Sequence, residues 1–332
     1  MTETSVFWGR GSNSLPRHPH LSYNQFINLL STLQKLNPAS NRKLGSGPER
    51  FAPHKPLLLL SIIDLVEHHL LTTPELILSP TLRVRFQSFA PIVSPRWRTS
   101  RLDIRYPLYY LKTQGLWLPK DAQGRPARAP ESVQSADLHP EFWTALQDAS
   151  FRRSARLILI TTYFPALEQL ALAEALGLSS VDILQHRNSN SEKTQVARQT
   201  GRSARFRYEV LSGYSFTCAL TGRSLTTASG SIMIEAAHIK PFRLTRDNHP
   251  TNGLALTPDA HWAFDEGLWT VHYTTSSKDY RVRVASSSFV ESGPGGQWLS
   301  RMDGRPLVFA DQTTLRPNPT ACADHKAQIF VG

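Results

Sequence analysis

The sequence predicts an α+β protein, with an N-terminal α+β domain, a polar linker and a C-terminal ββα unit. Three observations predict it. Phe26, Leu29, Leu30 and Leu33 recur at helical spacing. The segment from Leu57 to Ile63 is apolar almost all round and belongs in a core. From Ser231 to Gly267 the pattern passes from a strand, through a loop rich in turn residues, to a helix opened by Thr257-Pro258.

Residues 1–20 are polar, rich in Pro, Ser and His, and are expected to form a flexible N-terminus. The first domain spans 21–165. It opens with an amphipathic helix from Tyr23 to Leu36 and a loop from Pro38 to His54. Pro56 suits the first turn of the buried helix that follows. Residues 83–93 alternate enough for a strand, and 97–119 read as a loop followed by strands. A Pro/Ala/Ser-rich stretch, 120–137, precedes helical segments at Glu141–Leu146 and Arg152–Tyr163. Residues 166–205 hold a short helix and then a linker from His186 to Arg205, which is polar and lacks an apolar period. The second domain spans 206–332. It starts with a short helix and a turn around Cys218. Thr257 can cap the later helix, with Pro258 at its first position and Gly267 as its stop. WTVHY and YRVRVAS then form a strand pair around TTSSKD.

The 332 residues are 40% hydrophobic, enough for buried cores in two or three domains. No apolar run approaches the length of a membrane span, and MTETSVFWGRGSN lacks a basic end followed by an apolar stretch, so export is not expected. Cys218 and Cys322 are the only cysteines, which excludes a disulfide framework and a four-cysteine zinc site within one chain. A reducing cytoplasm is the expected location. The net charge of +11 is the footprint of a protein that meets a polyanion. Most of it lies in residues 1–200, at a net of +8 against +3 for 201–332.

The segment EAAHIKPFRLTRDNHPTNGLALTPDAHWAFDEG sets His238, Asn252 and His261 at intervals of fourteen and nine residues, with Asp265 four beyond His261. This resembles an HNH nuclease core, in the subgroup whose pattern is AAHI, then NG, then HxxFDxG. The resemblance covers about Phe206 to Val284 and implies metal-dependent hydrolysis of nucleic acid. That chemistry needs an activated water, a cation on the scissile phosphate and a rigid frame. His238, ending a strand, is assigned as general base because imidazole titrates near neutrality. His261 and Asp265, at i and i+4 on one helix face, can grip one divalent ion. Asn252 can pin the crossing loop or supply a ligand oxygen. Relatives often carry an Asp or His immediately before the base, where this chain has Ala237, so Glu235 is a candidate replacement ligand. Relatives also often hold a structural zinc by CxxC pairs. Here Thr221 stands three residues after Cys218, in the place of the pair's second cysteine, and no structural zinc is predicted. One ion is expected per nuclease domain, Mg²⁺ or Mn²⁺, with Co²⁺ and Ni²⁺ also admitted by a histidine ligand.

An HNH core has little sequence preference, so specificity falls to the basic half. Pro53-His54-Lys55-Pro56 leads into LLLLSIIDL, and Arg105-Tyr106-Pro107-Leu108-Tyr109-Tyr110-Leu111 is followed by a Gly-Leu-Trp turn. This order, over residues 20–165, resembles the sulfur-binding domain of phosphorothioation-dependent restriction endonucleases, which join such a domain to an HNH nuclease. The resemblance implies that His54, Lys55, Tyr106, Pro107 and Tyr110 surround the sulfur. The loop SPRWRTSR and its neighbour supply Arg96, Arg98, Ser100, Arg101 and Arg105 for the flanking backbone or a base edge. The partner is then double-stranded DNA bearing phosphorothioate, with no membrane involved. Sulfur docking would hold the complex while a tethered nuclease reaches flanking phosphates. One active centre per chain implies a homodimer or two independent nicks. The rival readings are the same nuclease fed by a reader of modified bases or plain sequence, and a modified-DNA sensor with an inactive metal site.

Overall fold

The computed structural model describes residues 22–41, 45–93, 103–178, 192–227, 232–293, 296–309 and 315–332. Helix α1 (Tyr23–Gln34) starts at a capping box in which Ser22 and Gln25 satisfy each other's backbone donors. Helix α2 (His54–Glu67) carries Pro56 in its first turn and is buried from Pro56 through Val66. It forms the axis of the N-terminal half, touching α3 (Pro80–Ser88), α5 (Arg105–Tyr110), α6 (Pro140–Gln147) and α7 (Ala149–Tyr163).

Two expected strands are helices. Residues 83–93 fall in α3 and in α4 (Ala90–Val93), because Ser79 caps α3 and Pro80 takes its first turn. The alternation that suggested a strand came from Arg83 and Arg85, and both are buried. Arg83 Nε donates to the Leu78 carbonyl at 2.9 Å. Arg85 forms a 2.8 Å ion pair with the wholly buried Asp64. The RYPLYY segment is α5, with Pro107 at its third residue, where a missing N–H costs little. Three short strands were only partly foreseen. β1 (Glu75–Ile77), β2 (Trp117–Lys120) and β3 (Ser135–Leu138) form an antiparallel sheet in the order β1-β3-β2. Each is too short to show a period above background, and β3 begins in the Pro/Ala/Ser-rich stretch to which no element was assigned.

After α8 (Ala166–Ala175), the residues read as a linker form most of α9 (Glu192–Gly213), a helix of 22 residues; His186 to Ser191 lie outside the described residues. The expected boundary at Phe206 falls inside this helix. Small residues rather than an apolar stripe fasten it. A Cβ on Gly201 would stand 2.2 Å from the Ala171 carbonyl oxygen of α8. Further along, Phe206, Val210 and Leu211 enter the second core.

That core is built on β4 (Glu235–His238), paired antiparallel with β5 (Gly253–Leu256) so that His238 faces Gly253. Between them run the four-residue helix α10 (Phe242–Thr245) and a loop. Helix α11 (Pro258–Asp265) completes the ββα order, and Gly267 beyond it has φ +71°. Thr257 occupies the N-cap position without a capping hydrogen bond; its hydroxyl instead lies 3.7 Å from the Cys218 sulfur. The strand pair is present as β6 (Trp269–Thr274) and β7 (Asp279–Val284), and α12 (Pro319–Gln328) packs on β6. Among the described residues no helix is long and apolar enough to cross a membrane.

Candidate nuclease site and reader pocket

His238 ends β4 between two aromatic rings. Phe206 of α9 stacks on it at 3.9 Å and 8°, and Phe242 of α10 tilts against it at 5.5 Å. Its Nε2 lies 3.0 Å from Asn248 Oδ1. A carbonyl oxygen only accepts, so the neutral ring carries its proton on Nε2 and keeps Nδ1 as the free base nitrogen. Burial holds this imidazole below its ordinary pKa of 6.5, with the Asn248 hydrogen bond acting in the opposite direction.

Asn252 is 2% exposed, and its amide is fully engaged by backbone. Oδ1 accepts from the Lys240 N–H at 2.9 Å, while Nδ2 donates to the carbonyls of Lys240 at 3.3 Å and Asp247 at 3.2 Å. Of the two roles open to it, this geometry is that of a pin for the crossing loop. Asp247 immediately precedes Asn248, so the pin also sets the partner of His238.

His261 of α11 meets two carboxylates. Its Nδ1 is 2.8 Å from Glu235 Oε2, and its Nε2 is 3.5 Å from Asp265 Oδ2. The first contact is a hydrogen bond and puts the ring proton on Nδ1. The second is not a hydrogen bond, which leaves Nε2 and the Asp265 carboxylate as free donors on one side. Glu235 thus stands behind His261 as a carboxylate that orients its ring. No group of three or more His, Cys, Asp or Glu able to hold a metal occurs among the described residues. One imidazole nitrogen and one carboxylate suit an oxygen-preferring divalent ion that keeps several waters. Ala237, at the position where relatives carry a ligand, is fully buried in the core. Cys218 is also buried, and its sulfur accepts from the Thr221 N–H at 3.4 Å.

In the N-terminal half, His54, Lys55, Tyr106, Pro107 and Tyr110 line one pocket of about 600 Å³, together with Asn37, Pro38 and Ala39. The first turn of α2 and the outer face of α5 thus bring together residues some fifty positions apart. Lys55 Nζ donates to the Asn37 carbonyl at 2.9 Å, and burial lowers its pKa. Tyr106 is 46% exposed and its hydroxyl donates to Glu131 at 2.8 Å. Arg105, expected at the flanking backbone, forms a 2.6 Å ion pair with Asp103. Arg96, Arg98, Ser100 and Arg101 lie outside the described residues. Phe206, Phe242, Asn248 and Asn37 were not singled out from sequence. Only Asn248, inside the RDNHPTNG loop between the two histidine motifs, had a positional cue.

The ββα frame brings a half-buried histidine on its first strand and an imidazole–carboxylate pair on its helix into one unit. Residues 218–272 match the HNH endonuclease family. The chain carries an HNH endonuclease domain, which implies that it binds DNA, and HNH nucleases generally use a divalent metal. No curated protein matches the chain.

Proposed function

We propose that this protein is a restriction endonuclease that reads phosphorothioate-modified DNA through its N-terminal half and hydrolyses a nearby phosphodiester through its HNH centre. The observation that carries the reader assignment is the meeting of the PHKP and RYPLYY motifs in one pocket. Replacing a non-bridging phosphate oxygen by sulfur keeps the charge but makes that face larger, softer and less hydrated. An apolar wall of Tyr106, Pro107, Pro38 and Ala39 accepts such a face, whereas an ordinary phosphate must shed water to enter. Lys55 supplies charge at the rim.

At the nuclease centre, neutral His238 takes a proton on Nδ1 from the attacking water as the new P–O bond forms and the bond to the leaving oxygen breaks. Asn248 and the flanking rings keep that nitrogen aimed, and Asn252 keeps the loop closed. His261 and Asp265 would hold the divalent ion, which when bound offsets charge on the phosphate and leaving oxygen. One centre per chain means that double-strand cutting needs two copies or two successive nicks.

Matched duplexes with and without phosphorothioate, in Mg²⁺ and in Mn²⁺, test this reading. Marked DNA should be cut preferentially, Tyr106→Ala should erase the preference, and His238→Ala should abolish cutting while leaving binding intact. Equal cutting of both duplexes would discard the sulfur reading in favour of modified-base or plain-sequence recognition. The two-donor metal site also favours a second possibility, a sensor that binds without cutting. Absence of cleavage in every metal, with binding unchanged by His238→Ala, would establish it.

A further inference from the structure

The helix α9, read from sequence as a linker, presents Gln195, Gln199, Arg202, Ser203 and Arg207 along one side. These residues line a groove of about 870 Å³ that Arg246, in the loop after α10, closes from the opposite side. We infer that this groove is a second DNA site, distinct from the reader pocket, that grips the sugar-phosphate backbone of the duplex beside the bond being cut. The inference rests on the nuclease reading above and adds the track by which substrate reaches the base.

Four observations carry it. First, the groove is one-signed. Three guanidinium groups line it, with no Asp or Glu among the described lining residues. The adjoining hollow shares Pro91, Val196 and Thr200 but carries Glu168 and Glu192. Those acids lie toward the start of α9, so the positive stretch is the one that runs toward Phe206. Second, both walls end at the rings that bracket the base. Arg207 follows Phe206, the ring stacked on His238 at 3.9 Å. The Arg246 guanidinium lies 5.7 Å from the ring of Phe242, itself 5.5 Å from His238. A phosphate on Arg246 is one aromatic ring away from His238, and the Arg207 guanidinium lies 3.4 Å from the Ile234 carbonyl just before β4. Third, Arg246 has φ +56°, a left-handed conformation that strains a bulky residue. Asparagine or glycine would sit there more easily, yet the chain holds a long cation at this spot. Fourth, the composition selects the occupant. Guanidinium, amide and hydroxyl groups are the usual donors to phosphate oxygens. No aromatic side chain is among the described lining residues, so the groove lacks the stacking platform that unpaired bases require. A duplex backbone fits it and a splayed single strand does not.

The test uses the full-length protein with Arg202→Gln/Arg246→Gln, and Arg202→Lys/Arg246→Lys as the charge-preserving control. Binding of a long unmarked duplex is measured across a salt series, beside cleavage kinetics on marked DNA. Two lost phosphate contacts should reduce the slope of log affinity against log salt by about two. KM should rise with kcat retained, marked and unmarked sequences should weaken alike, and the lysine variant should keep the wild-type slope. An unchanged slope in the glutamine variant would overturn the proposal, and so would an equal loss in the lysine variant. An unchanged slope with lost binding of poly-glutamate would reassign the groove to an acidic protein partner. If no DNA is cut in any metal, the nuclease reading fails, while the salt slopes still report on the groove.

Discussion

A Gly253→Ala substitution adds one methyl group where α9 crosses β5. Gly253 has extended backbone, φ −133° and ψ 148°, so alanine meets no conformational strain there. Through the unfolded state alone the change would stabilise by about 0.4–1 kcal/mol. The obstacle is space. A Cβ at this position would stand 2.4 Å from Val210 Cγ2, and 3.0 and 3.1 Å from two ring carbons of Phe206. Comfortable carbon contacts are about 3.5–4.0 Å, so either α9 retreats from the strand or the Phe206 ring turns. Overpacking of this kind costs about 1–3 kcal/mol, more than the unfolded-state gain, and the net should be a loss. The displaced ring is the one stacked on His238, so cleavage should slow along with the loss of stability. Urea unfolding and single-turnover cleavage are the paired assays. Val210→Ala removes the first methyl in the way. In the double variant the two changes should be non-additive, with about 0.5–3 kcal/mol of coupling. A Gly253→Ala enzyme as stable and as fast as the wild type would refute the claim that this glycine sets how closely α9 approaches the base.

Three further outcomes follow from the same geometry. Because burial holds His238 below the ordinary imidazole pKa of 6.5, its neutral base form persists to lower pH than a free imidazole. The acid limb of kcat/KM should therefore lie below 6.5, the rate falling as pH drops through the lowered value, and Phe206→Leu should move that limb upward; a limb that stays put removes the ring from this role. Arg85→Met strands the wholly buried Asp64 and should cost about 3–5 kcal/mol in urea unfolding. Arg85→Met/Asp64→Leu should recover most of this, and a double variant no more stable than the single would contradict the ion-pair account. Glu235→Ala should weaken Mn²⁺ binding by calorimetry about 10–100-fold, as loss of a carboxylate behind a metal-ligating histidine does, while unaltered affinity would dismiss Glu235 as the orienting group.

The nuclease residues were legible because their motif compresses backbone demands and chemistry into one short stretch. His261 and Asp265 share a face by helical spacing alone, and the Thr257-Pro258 start was readable from residue preference. The function of Gly253 was not, because its need for space arises from α9, far away in sequence. That Glu235 faces Nδ1 of His261 was not legible, because sequence shows which donors are near, not which ring nitrogen each one faces. The misread strand at 83–93 has a physical cause. Alternating arginines mimic a half-exposed strand, yet Arg85 is buried against Asp64 and over the Tyr208 ring at 4.3 Å. The linker was misread for the converse reason. Gly201 and Ala204 create a helix interface through closeness, which no hydropathy period records. In the N-terminal half, the pocket residues were recognisable by motif, and His54 and Lys55 stand at the helix start read for them, although the backbone of Tyr106, Pro107 and Tyr110 was assigned the wrong period.

Helix α9 changes what the two halves can do together. The expectation of a tethered nuclease allows the cut to wander along the flanking DNA. Instead, α9 lies against α8 at Gly201, under Arg85 at Tyr208, on His238 through Phe206 and against β5 through Val210. Arg85 in turn pairs with Asp64 of α2, the helix whose first turn holds His54 and Lys55 at the pocket. The pocket and His238 are thus joined through packed side chains, and on the proposed function the distance from mark to cut should be set within one chain. Cleavage positions mapped on a singly marked duplex should cluster at a fixed offset. Gly201→Ala is the perturbation that isolates this link. Alanine favours an isolated helix over glycine by about 1 kcal/mol, but its methyl would meet the Ala171 carbonyl oxygen at 2.2 Å and push α9 from α8. The offset should broaden while His238 and its ring partners stay intact. A wild-type enzyme whose cuts scatter as widely as those of Gly201→Ala would mean that α9 does not fix the distance.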